Sequence, residues 1–134
     1  MKIYFTAPIK RGRAHQPEFK TIVSVLERYG TVHAPHMGAV SFHGETAMPD
    51  REILERELAA LAAADVVVAE VTTPGLGVGY LLAQASNADK KVIALYRDDN
   101  TLKLSSIIKG DPKITVLTYK NEENIEPLIV EALK

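Results

Sequence analysis

Carboxylates, glycines and a cluster of cations in this chain fall where strands would hand over to helices, and their spacing suits the binding of an anionic ligand. The run Ala64-Asp65-Val66-Val67-Val68-Ala69-Glu70-Val71-Thr72-Thr73-Pro74-Gly75-Leu76-Gly77-Val78-Gly79-Tyr80 passes from consecutive valines to Glu70 and then into glycines at alternate positions. Valines in series read as a parallel strand covered on both faces. Gly75, Gly77 and Gly79 would let backbone N–H groups approach a phosphate without a Cβ in the way, although such glycines equally make a tight strand-to-helix turn. Glu70 either meets a ligand there or hydrogen-bonds loop amides. A second candidate is Thr6-Ala7-Pro8-Ile9-Lys10-Arg11-Gly12-Arg13, where Lys10, Arg11 and Arg13 surround a glycine. Arginine offers a planar fork and lysine a point charge to a phosphomonoester; a solvated basic loop is the alternative.

The third candidate is Glu57. At about 100° per residue, Ile53, Leu54, Leu58 and Leu61 share one arc of a helix, and Glu57 falls inside that arc rather than with Arg51, Glu52, Glu55 and Arg56. A carboxylate on an apolar arc needs a partner. It either pairs with a nearby Arg or Lys or reaches water, or it faces a site as an acid of raised pKa. His33, His36 and His43 are not spaced as helix-borne zinc ligands, and cysteine is absent, so neither a metal nor another cofactor is expected. No G-x-x-x-x-G-K-[ST] loop occurs, which disfavours nucleoside triphosphates.

The elements that must position these residues alternate along the chain. Lys2–Phe5, Thr31–His33, Val66–Val71, Val92–Tyr96 and Ile114–Thr118 are predicted strands, rich in Val, Ile and aromatic residues. Pro17–Tyr29 is predicted helical, with proline in its first turn, Phe19, Ile22, Val23, Leu26 and Tyr29 on one face, and Gly30 at its end. Further helices are predicted over about Asp50–Ala63, Gly77–Ser86, Ser105–Lys109 (ended by Gly110) and Asn121–Leu133, with Pro127 in or just before the first turn of the last. This alternation predicts an α/β fold, a doubly wound parallel sheet of five strands with helices on both faces. Ligands of such sheets bind beyond the carboxyl ends of the strands, which directs attention to Thr6–Arg13, Ala34–Pro49, Thr72–Tyr80 and Arg97–Ser106.

Composition narrows the function classes. With 134 residues, 46% hydrophobic and 25% charged, the chain is expected to form a single domain over 1–134. Sixteen Lys+Arg against seventeen Asp+Glu give a formal net charge of -1, so no global field draws it to a nucleic-acid polymer or an anionic membrane. Zero cysteines exclude disulfides and a thiolate nucleophile and fit a cytoplasmic protein. No secretion signal is visible, and no apolar stretch approaches the ~20 residues needed to span a bilayer.

Tyr4-Phe5 with Ile9 and Gly12-Arg13, Tyr29-Gly30-Thr31-Val32 with His36, Ala64 to Thr72 with Pro74, Leu76-Gly77-Val78-Gly79-Tyr80, and Leu104-Ser105 with Ile108 and Gly110 run in order along nearly the whole chain. In this pattern the chain resembles the 2'-deoxynucleoside 5'-phosphate N-hydrolases of the nucleoside 2-deoxyribosyltransferase-like superfamily. The resemblance implies a flavodoxin-like fold, commonly dimeric, that cleaves a deoxynucleoside monophosphate to deoxyribose 5-phosphate and free base. It further implies that Tyr4, Phe5, Thr6, Ala7, Pro8, Ile9 and Lys10 border sugar and base, and that His36 lies near the nucleobase. Gly75, Gly77 and Gly79 would offer amides to the phosphate, which Ser105, in a segment with Ser106 and Ile107, would reach from the neighbouring subunit.

The chain departs from the family at the position that matters most. Where the family carries its glutamate nucleophile, directly after Gly-Val-Gly-Tyr, this chain has Leu81, which can neither attack carbon nor stabilise an oxocarbenium charge. Val78, Leu81, Leu82 and Ala85 form an apolar stripe, so Leu81 is expected to pack in the core. Glu57 stands for the family's aspartate on the second helix, Lys10 for an arginine, and Gly75 and Pro8 for serines. Glu57 is therefore the candidate catalytic carboxylate, attacking directly or activating water. The alternative is a nucleotide-binding or sensor protein that has lost turnover.

Overall fold

The computed structural model describes residues 1–8, 16–34, 48–99 and 101–134. Strands β1 (Lys2–Thr6), β2 (Thr31–His33), β3 (Val66–Glu70), β4 (Lys91–Arg97) and β5 (Ile114–Tyr119) alternate with helices α1 (Gln16–Glu27), α2 (Asp50–Ala63), α3 (Leu76–Asn87), α4 (Ser106–Gly110) and α5 (Ile125–Leu133). All the strand pairings are parallel, in the order β2-β1-β3-β4-β5. The expected doubly wound sheet is present, with the strand order of flavodoxin-like folds.

Alternation along the strands sorts the core into two layers. Ile3, Phe5, Val66, Val68, Ile93 and Leu95 face Phe19, Ile22 and Leu26 of α1 and Ile125 and Ile129 of α5. On the opposite face Tyr4, Val67, Ala69, Val92 and Ala94 meet Leu61 of α2 and Val78, Leu82 and Ala85 of α3. Ile22, Leu26, Ile125 and Ile129 are fully buried, and each removes enough apolar surface from water to stabilise the fold by roughly 1.5–3 kcal/mol. β3 is buried at every position, as its valine run requires of a central strand.

Several boundaries differ from expectation. α1 ends at Glu27, and Tyr29 lies beyond it, 40% exposed rather than on the apolar face. Gly30 is needed for close approach instead of helix termination: a Cβ there would collide with the Met1 carbonyl, which accepts the Thr31 N–H at 3.0 Å. The segment expected as one C-terminal helix divides into a 3-10 turn, Glu122–Asn124, and α5. Asn121 caps the turn by accepting the Glu123 N–H at 3.0 Å, while Asn124 accepts the Lys120 N–H at 3.1 Å. Pro127 falls in the first turn of α5, where no intrahelical donor is required.

Candidate active site

The strand order reverses between β1 and β3, leaving a crevice beyond their carboxyl ends. There the loops after the two strands touch. A Cβ on Gly75 would stand 3.3 Å from Cβ of Pro8 and 3.6 Å from Cγ2 of Val78. Any side chain at Gly75 would press on the Pro8 ring, so the two departures from the resembled pattern compensate one another: a proline fills the space beside a residue that has no side chain. Gly75 is the N-cap of α3. The first helical bond, Gly79 N–H to Gly75 C=O at 3.1 Å, consumes the Gly79 amide, so the amides a phosphate can reach are those of the preceding first turn. A Cβ at Gly77 or Gly79 would meet nothing within 4 Å, so packing does not demand glycine at either position.

Beside this crevice, on the α2–α3 face, the side chains of His33, Arg56 and Tyr4 converge on the Glu57 carboxylate. Register places His33 beside Tyr4, and their rings stack with centroids 5.4 Å apart and 17° between planes. Glu57 Oε2 is 2.6 Å from His33 Nε2, and Glu57 Oε1 is 3.4 Å from Arg56 Nη2. Burial, and after it the negative charge of Glu57, push the Tyr4 phenol well above its ordinary range; a hydrogen bond with Glu57 adds to the shift. Tyr4 therefore remains a proton donor throughout the physiological range. Glu57 is 13% exposed, whereas Leu54 on the expected apolar arc is 40% exposed. The partner anticipated for Glu57, an arginine, is present as its neighbour Arg56. His33 was missed, because nothing in its local sequence distinguishes it from a strand-end histidine.

Glu70 takes the structural alternative. Fully buried, it accepts the Thr72 N–H at 2.6 Å through Oε1 and the Tyr119 O–H at 2.9 Å through Oε2. Tyr119 packs in the α1–α5 layer, so Glu70 and Glu57 serve opposite faces of the sheet. Burial and the Glu70 charge raise the Tyr119 phenol above its usual range. Glu18 pairs with Arg97 nearby, and the Arg97 N–H donates to Thr72 Oγ1 at 2.7 Å, which fixes the loop leaving β3.

Phe5 is buried against Phe19 at 6.5 Å in the α1 layer, so only its backbone can border a ligand. Thr6, Ala7 and Pro8 continue β1 into the crevice. Ile9, Lys10 and His36 lie outside the described residues. Ser105 is the exposed N-cap of α4 and makes no side-chain capping bond. Ser106 and Ile107 follow it at the surface.

The sequence model of the nucleoside 2-deoxyribosyltransferase family matches residues 3–127. The chain belongs to this family. It is 38% identical over 136 residues to the 5-hydroxymethyl-dUMP N-hydrolase of Danio rerio, covering 98% of this chain and 94% of that protein. With the Homo sapiens protein of the same name it shares 42% over 111 residues, 81% of this chain and 64% of the other. The solved structure of the Clostridium botulinum CMP N-glycosidase BcmB superposes with a TM-score of 0.69 over 99% of this chain and 100% of that one; at 17% identity this likeness concerns the fold. In this family member Leu81 is half-buried and packs against the Tyr4–Val78–Leu82 layer, with no polar function. Among the described residues no helix is long and apolar enough to cross a membrane.

Proposed function

We propose that the protein hydrolyses the N-glycosidic bond of 2'-deoxynucleoside 5'-monophosphates, giving deoxyribose 5-phosphate and free base, with Glu57 as the catalytic carboxylate. The observation that carries this reading is the near-full-length likeness to relatives named as nucleotide N-hydrolases. Glu57 supplies the one kind of group the reaction needs and Leu81 lacks: a carboxylate that either attacks the anomeric carbon or takes the proton of an attacking water as the bond to nitrogen breaks. Tyr4 donates a hydrogen bond beside it. The first turn of α3, the segment from Tyr4 to Lys10 and His36 hold the nucleotide. Loss of turnover with retained binding, which Leu81 suggests by itself, gives no role to the Glu57 carboxylate beside the crevice. The protein acts as a single domain over 1–134, in the cytoplasm, without a cofactor.

Incubation with each deoxynucleoside monophosphate is expected to release free base, and the corresponding nucleosides should react poorly. Charge-assisted bonds to phosphate are worth about 1.5–3 kcal/mol, so calorimetric affinity for thymidine 5'-monophosphate should exceed that for thymidine by at least about tenfold. Equal affinity would remove the phosphate cradle.

The active form is a homodimer with shared sites. Leu76 is 97% exposed, Ile107 82% and Tyr80 49%, apolar side chains on α3 and α4 that a second copy would cover. Ser105 then reaches the partner's phosphate. Ser105→Arg, at an exposed position, is expected to weaken nucleotide binding about tenfold without lowering the melting temperature. A monomer by light scattering at high concentration, with full nucleotide affinity, would contradict the shared site.

A further inference from the structure

His33 belongs to β2, 24 residues before Glu57 in sequence, and reaches it because parallel pairing sets β2 against β1. Its ring plane is held by the stack on Tyr4, itself 1% exposed in the core. With the plane fixed, Nε2 is delivered 2.6 Å from Oε2, a short separation for a nitrogen–oxygen hydrogen bond. Arg56 approaches the other oxygen more loosely, at 3.4 Å. Glutamate carries one more rotatable bond than aspartate, and a carboxylate at the end of that longer arm reacts efficiently only if its orientation is restrained.

Resting on the hydrolase reading, we propose that His33 is the positioning residue for Glu57. Its Nε2–H donates to Oε2 and holds the carboxylate plane, leaving the remaining lone pairs to face the reacting group in a constant direction. Tyr4 acts in the same unit by holding the imidazole. The arrangement replaces rotational freedom that the longer side chain would otherwise bring to the site. A surface ion pair would not need it: His33 is 31% exposed and Glu57 13%, and the contact between them is shorter than that of Glu57 with Arg56.

Steady-state kinetics of full-length His33→Leu and His33→Gln, with melting temperatures, test the role. His33→Leu should lower kcat by about 100-fold while KM stays within about threefold, the split expected when an interaction is made with the reacting carboxylate and not with bound substrate. His33→Gln, whose amide N–H can reach Oε2, should recover at least about tenfold of that loss. If His33→Leu does not fold, His33→Asn replaces it: the same amide on a shorter arm should remain at least about tenfold below His33→Gln. Turnover in His33→Leu within about twofold of the unmodified protein, or equal losses in the Gln and Asn variants, would overturn the role of His33 and leave the hydrolase reading intact. Failure of the unmodified protein to release base from any deoxynucleoside monophosphate would overturn both.

Discussion

Glu57→Gln is expected to lower release of free base by about 10³-fold or more while nucleotide affinity changes by less than about threefold. The substitution keeps the shape of the side chain and its capacity to accept from His33 Nε2, now 2.6 Å from Oε2, so the cluster survives. What disappears is the negative charge and the basic lone pair that attack on carbon or deprotonation of water requires. Leu81→Glu is the companion experiment. Leu81 packs against the layer of Tyr4, Val78 and Leu82, so a carboxylate there loses apolar contacts worth ~1–3 kcal/mol and gains little from the helix N-terminus. It is expected to leave turnover of the otherwise unmodified protein near its starting value and to restore little in the Glu57→Gln background. Turnover by single-time-point base release, checked against calorimetric binding, separates the cases. An active Glu57→Gln protein would remove Glu57 from the chemistry, and a large gain on Leu81→Glu would identify the site as a hydrolase disabled at that position.

Glu70→Leu should produce the largest loss of stability, on the order of 3–5 kcal/mol, read as a lower midpoint in urea. The leucine approximates the volume and removes both acceptors, leaving the Thr72 N–H and the Tyr119 hydroxyl buried without them. The hydroxyl then has lost the group that the fold provides for it, and the loop that leads to Gly75 keeps the Arg97 N–H bond to Thr72 Oγ1 but loses its bond to Glu70. Glu70→Gln keeps one acceptor oxygen and should cost about half as much or less. Nucleotide affinity of Glu70→Gln is expected to match the unmodified protein. A normal urea midpoint for Glu70→Leu, coupled with lost affinity in Glu70→Gln, would instead make Glu70 a ligand contact.

The alternation of valine-rich runs with amphipathic segments determined the class of fold, because side-chain period reports directly which faces of an element are buried. The bounds of β2 were legible to the residue and those of α2 approximately, and β3 was recognisable as the central strand from hydrophobicity on both faces. Glu57 also announced itself, since a carboxylate among leucines at helical spacing is a local contradiction. Its partners were only half legible. Arg56 is adjacent in sequence, but His33 comes from another element, and periodicity carries no information about which strand lies beside which or in what register. The same limit applied to Glu70: two readings were open from sequence, and the distant Tyr119, at the end of β5, decided between them. Gly30 looked like a helix stop because glycine commonly ends helices, whereas its actual constraint is the Met1 carbonyl packed against it. Local pattern specifies faces and ends; the pairing of polar groups from separate elements depends on strand order, register and helix placement, which come into existence only when the whole chain has folded.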